Sequence, residues 1–152
     1  RDLGFDITTS MSFSYFKQHT FRERVGSDVL ADLIPLQREL DHGFQVGCGT
    51  DWGPSNVFEH IALAEGHPGV FGGANDTPAH GVSREDALAM WTRSAGRILR
   101  WEGLGTIEAG SCADLIVVDR DPLTVAPEEL VDTVVHATLL GGRAVHDDGV
   151  LA

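Results

Sequence analysis

Few residues in this sequence have the type and setting to do chemistry, and Asp51 stands out by position. It follows the run Phe44-Gln45-Val46-Gly47-Cys48-Gly49-Thr50 and precedes Trp52-Gly53-Pro54. Phe44, Val46 and Cys48 alternate with small or polar residues, the pattern of a buried strand. Gly47 and Gly49 allow close backbone approach, and Gly53-Pro54 marks a turn. The carboxylate therefore sits where a strand stops. In barrels of alternating strands and helices, catalytic side chains project from strand ends. A strand-end Asp is therefore a candidate for chemistry. The plainer reading, an Asp that caps a turn, stays open on this window alone. Trp52, Ser55 and Asn56 lie just beyond. They are candidates to line a substrate pocket, or ordinary loop residues.

The elements that must position Asp51 follow from the pattern around it. Residues 7–12 are rich in β-branched and aromatic types and predict a strand. Residues 16–25 mix Lys17, His19, Arg22, Glu23 and Arg24 without a period and predict a solvated loop or short helix. Ser27-Asp28 suits the cap of a helical turn over 29–33. Pro35 fits the first turn of the next helix, Gly43 its C-terminal end, and Leu36 and Leu40 its buried face. Another helix is predicted over 56–66, then a long glycine-rich loop over 66–81. Ser83-Arg84-Glu85-Asp86 reads as a helix start with acids in its first turn. Leu88, Trp91, Ala95 and Ile98 or Leu99 continue that helix as an apolar stripe. Arg93, Arg97 and Arg100 suit the dipole at its end.

From Gly103 onward the pattern turns to β. Residues 113–119 predict a strand buried on both faces, 127–130 a helical turn, and 134–146 a hairpin closed by Gly141-Gly142. The order is α/β with a β-rich end, dividing into 1–102 and 103–152.

Composition narrows the function classes. The chain has 152 residues, and its 42% apolar content suffices for a core. A formal charge of −12 argues against nucleic-acid binding through a basic face. Cys48 and Cys112 lack zinc-site spacing and read as free thiols. No apolar run approaches the roughly 20 residues of a membrane span. No secretory leader is visible, so a cytoplasmic setting is the default expectation. The sequence opens at Arg1 in what reads as mid-domain pattern, and a fragment is expected.

Three segments carry a family likeness. The first is Gly49-Thr50-Asp51-Trp52. The second runs from Glu85-Asp86-Ala87-Leu88 through Thr92, Ala95 and Leu99 to Gly-x-Ile-x-x-Gly-x-x-Ala-Asp-Leu, read here from Gly105 to Leu115 with Thr106 preceding Ile107. The third is Thr138-Leu139-Leu140-Gly141-Gly142-Arg143-Ala144-Val145-His146. In this order they resemble the metal-dependent amidohydrolases, closest to the branch called amidohydrolase family 3. Thr50 stands where Ser is commoner, Gly53 where Pro is commoner, and Cys112 where Lys or Arg is usual.

The resemblance implies the C-terminal part of a (β/α)8 barrel, its last strands and helices. The C-terminal strands of a small composite β-sandwich would follow. It implies a divalent metal, usually zinc, held mostly by histidines on earlier strands. Asp51 would bind or approach that metal and shuttle the proton between water and a leaving nitrogen. The substrate would be a small-molecule amide or related compound with a non-peptide C–N bond. A deaminase or cyclic-amide hydrolase of the same superfamily is the alternative enzyme. A non-catalytic α/β module for binding or assembly is the alternative outside enzymes.

The seven histidines include no His-x-His and no helical His-x-x-x-His pair, and surface or turn roles are expected of them. His67 and His80, flanking the long loop, are the two to watch. A closed barrel needs about 200 residues or more, so 152 would hold only its last strands. The fragment alone is expected to be inactive. Its unpaired strand edges invite association, which makes homo-oligomers an expectation too.

Overall fold

Two short strands run side by side in the same direction: β1 (Ile7–Thr9) and β2 (Val46–Cys48), with Ile7 opposite Val46 and Thr9 opposite Cys48. Parallel neighbours require a crossover. Here it consists of α1 (Met11–Val25), a 3-10 helix (Ser27–Asp32) and α2 (Leu36–Asp41). The computed structural model describes residues 2–51, 53–66 and 81–151. Trp52 and the loop expected over 66–81, with His67 and His80, fall outside them apart from Gly66 and Gly81.

After β2 come α3 (Val57–Ala64), α4 (Arg84–Trp91) and α5 (Arg93–Ile98). The chain then forms β3 (Leu115–Val118), α6 (Pro127–Leu130), β4 (Val135–Leu140) and β5 (Arg143–Asp147). The last three strands make an antiparallel sheet in the order β3-β4-β5. Gly141 and Gly142 both have positive φ, 57° and 77°, which is what a two-residue hairpin turn demands.

One core joins the parts. Met11, Leu36, Val46, Phe58, Ile61, Leu63 and Met90 are buried together, and Leu130 of α6 belongs to the same cluster. Two polar ties reinforce the contact. Asn56 Nδ2 donates to the Val131 carbonyl at 2.9 Å. Arg84 forms an ion pair with Glu65 at 2.7 Å and donates to the Pro122 carbonyl at 2.6 Å.

Several sequence expectations need correction. Residues 10–12, expected as the end of a strand, instead cap and begin α1, which runs on through 16–25, where a loop or short helix was expected. Its buried residues are Met11, Ser12 and Ser14, while Phe13 and Phe16 stay exposed, so no apolar stripe announces it. The helix expected from 84 to the arginines breaks at Thr92, whose φ and ψ are −125° and −100°. The Thr92 hydroxyl donates back to the Leu88 carbonyl at 2.8 Å, and Gly105 packs directly on the Thr92 backbone. Of the two alternatives for the end of the stripe, Ile98 is partly buried and Leu99 is exposed.

The strand β3 is not buried on both faces: Ile116 is 53% and Val117 37% exposed, and Ile116 lines an open groove against α3 and α4. His60 is fully buried rather than at a surface or turn. The Ser83 cap, by contrast, is as read, with its Oγ accepting from Asp86 N at 3.1 Å, whereas the 3-10 helix from Ser27 has no side-chain cap. Asn56 Oδ1 accepts from Phe58 N at 3.0 Å and caps α3.

Candidate active site

Asp51 stands three residues past the end of β2, with its side chain exposed. Both parallel strands deliver their C-terminal ends to the same place. An open cleft of about 360 Å³ lies there, lined by Thr8, Thr9, Ser10, Phe13, Ile34, Gly49 and Asp51. Strand ends, the first turn of α1 and the turn before α2 thus surround one carboxylate. The arrangement offers a proton acceptor beside an apolar wall made by Phe13 and Ile34.

The loop carrying Asp51 is held on three sides. Ser10 Oγ donates to the Thr50 carbonyl at 3.2 Å and shares a hydrogen bond with Ser12 Oγ at 3.0 Å. Gly53, with φ of 107°, presses on Ser12 so closely that an added Cβ would lie 2.6 Å from its hydroxyl. His60 Nε2 donates to the Pro54 carbonyl at 2.9 Å, and its ring lies 5.3 Å from Trp91. Between these anchors Asp51 itself has a positive φ of 36°, uncommon for a residue with a side chain.

Ser10 shows what the arrangement displaces. It occupies the cap position of α1, where a serine hydroxyl ordinarily accepts from the helix's first N–H groups. No side-chain cap bond forms there, and the hydroxyl goes to the Asp51 loop instead.

The other candidates lie elsewhere. Ser55 and Asn56 line a separate groove of about 640 Å³ between α3, α4 and the three-stranded sheet. The Asn56 amide is used at both ends, capping α3 and holding Val131. Ser10, Ser12, Phe13 and Ile34 were missed because residues 7–12 read as strand, which hides a strand-to-helix junction.

No three His, Cys, Asp or Glu side chains converge on a metal-sized site among the described residues. Among the described residues, Asp51 is the one carboxylate lining its cleft. The donor set present is therefore too small to hold a metal by itself.

Cys48 lies behind the cleft, with its thiol 3.8 Å from the Met90 sulfur. Burial, helped by Glu39, pushes that thiol up to about 12. Cys48 is thus an inert structural thiol.

A parallel α/β layer with an acid at its carboxyl-end cleft belongs to the architecture on which many hydrolytic enzymes are built. Residues 1–146 match the model of the amidohydrolase family, and the chain belongs to that family. It is 30% identical over 149 residues to an N-substituted formamide deformylase of Arthrobacter pascens, covering 93% of this chain and 27% of that protein. It is 36% identical over 112 residues to a 5-methylthioadenosine/S-adenosylhomocysteine deaminase of Moorella thermoacetica, covering 69% of this chain and 25% of that one. A metal-dependent hydrolase from Pyrococcus horikoshii shares the fold with a TM-score of 0.70 at 23% identity, over 83% of this chain and 26% of its own. The chain spans about a quarter of the length of the curated relatives it matches. No helix among the described residues is long and apolar enough to cross a membrane.

Proposed function

We propose that this chain is the acid/base part of a hydrolase acting on small molecules with non-peptide C–N bonds. Asp51 takes a proton from the attacking water and delivers it to the leaving nitrogen. The observation that supports this reading is an exposed carboxylate, held in a strained backbone, at the shared carboxyl ends of two parallel strands. Proton transfer of this kind is typically worth about 10²–10⁴ in rate. The two strands and their helices would be the last part of a (β/α)8 barrel. Residues 103–152 would be the C-terminal part of a β-sandwich, next to barrel residues 1–102.

The family likeness implies a divalent metal, zinc being the usual one. With Asp51 the single acid lining its cleft among the described residues, the remaining ligands would come from beyond those residues. When bound, a metal would supply an activated water. Phe13 and Ile34 would meet the apolar part of a substrate. A substrate contact for Trp52 rests on its place in the sequence, and one for Ser55 or Asn56 would need a substrate reaching into the second groove. The chain by itself should not turn over, and its open strand edges should make it self-associate.

Deamination is the second reading, supported by the relatives named as deaminases. It uses the same proton transfer with ammonia as the leaving group. Comparing formamide and aminopurine substrates on the intact enzyme, wild type and Asp51→Asn, separates the two readings. Hydrolysis of neither, or turnover untouched by the substitution, would remove the proposal.

A further inference from the structure

A third cleft, of about 390 Å³, lies at the C-terminal end of α5, lined among others by Arg93, Arg97, Arg100, Trp101, Glu102 and Thr106. The chain has 23 acidic residues against 11 basic ones, so an arginine has ample choice of partner. Arg38, Arg84 and Arg120 all take one. Arg93, Arg97 and Arg100 take none among the described residues. They stand three and four positions apart, a spacing at which like charges on a helix repel.

Charge at a helix end ordinarily serves the terminal carbonyls. Here the backbone already serves them. The carbonyls of Ala95, Gly96 and Arg97 accept from the N–H groups of Leu99, Trp101 and Arg100 at 3.0, 3.2 and 3.0 Å. The guanidiniums are left without that task.

Arg100 carries a further mark. Its φ is 56°, the left-handed conformation that closes a helix and that glycine adopts without strain. An arginine at this position destabilises the fold relative to glycine. Beside it the Trp101 indole is 64% exposed, although tryptophan is usually well buried. Three unpaired guanidiniums and an open indole face thus share one cleft of ligand size.

We infer that this cleft binds a phosphorylated small molecule with a planar ring. Guanidiniums match phosphate oxygens in bidentate pairs, and the indole offers a stacking face. Glu102 opposes the anion, so binding needs at least two of the three arginines. The site is lined by wholly different residues from the Asp51 cleft and does not depend on the proposed reaction.

The test is titration of the 152-residue chain with phenyl phosphate at low ionic strength, beside inorganic phosphate. Wild type should bind phenyl phosphate saturably, and more tightly than inorganic phosphate. Arg97→Gln and Arg100→Gly should each weaken it by about fivefold or more. Arg143→Gln, an exposed arginine outside the cleft, should change it less than about twofold. Arg100→Gly should also raise the unfolding midpoint by about 3 °C at matched concentration, so its lost affinity cannot be blamed on misfolding. Absence of saturable binding would overturn the inference. So would equal weakening by Arg143→Gln, retained affinity in both cleft variants, or equal affinity for inorganic phosphate.

Discussion

The hydroxyl of Ser10 donates to the carbonyl of Thr50 at 3.2 Å, tying the end of β1 to the residue before Asp51. The bond crosses from one parallel strand end to the other. It replaces the helix cap that Ser10 would otherwise provide. Removing it leaves the Asp51 loop held only by the Gly53–Ser12 contact and the His60–Pro54 bond. In the intact enzyme Ser10→Ala should lower kcat by about tenfold with little change in melting midpoint, and Ser10→Thr should restore it. Unchanged kcat in Ser10→Ala would show that the bond does not position the acid.

Gly53→Ala attacks the same loop from the other side. The new methyl would meet Ser12, and the φ of 107° is unfavourable to any side chain. The expected cost is about 1–3 kcal/mol of stability, read from denaturant unfolding. A neutral substitution would mean the loop relaxes freely and is not held against α1.

The ion pair of Arg84 and Glu65 has side-chain exposures of 11% and 15%, and Arg84 also reaches the Pro122 carbonyl. Arg84→Met leaves a poorly solvated carboxylate and an unserved carbonyl. A loss of about 3 kcal/mol is expected, smaller in the double variant Arg84→Met, Glu65→Leu. Equal losses in both would assign the effect to packing.

Much of this was legible in the sequence, and the failures share a cause. Ser83 was readable as a cap because local hydrogen bonding decides it. The Gly141-Gly142 hairpin was readable because positive φ selects glycine. Asp51 was placed at a strand end by the strand pattern before it. Helix α1 was not readable, since its buried side are Met11 and two serines while its phenylalanines face outward. Nor was the break at Thr92, which depends on a residue 13 positions on, Gly105. The tie between the strand ends was not readable either, because Ser10 and Thr50 lie 40 positions apart.

Asp119 links stability to pH. Its carboxylate accepts from Arg120 and from the Val134 N–H, and the Arg120 bond chiefly lowers its pKa from 3.8 to about 2. A lowered folded value means the contribution is present above about pH 4 and is lost as pH falls toward 2. The difference in unfolding midpoint between wild type and Asp119→Asn should therefore shrink between pH 4 and pH 2. A difference constant across that range would show that the ionised carboxylate is not what the fold uses.

The central claim is that Asp51 moves the proton. Asp51→Asn keeps the shape and a hydrogen-bonding group but cannot accept a proton at neutral pH. In the intact enzyme kcat for C–N hydrolysis should fall by about 10³-fold, with KM and the melting midpoint nearly unchanged. A variant that keeps kcat within about tenfold of wild type would contradict the account.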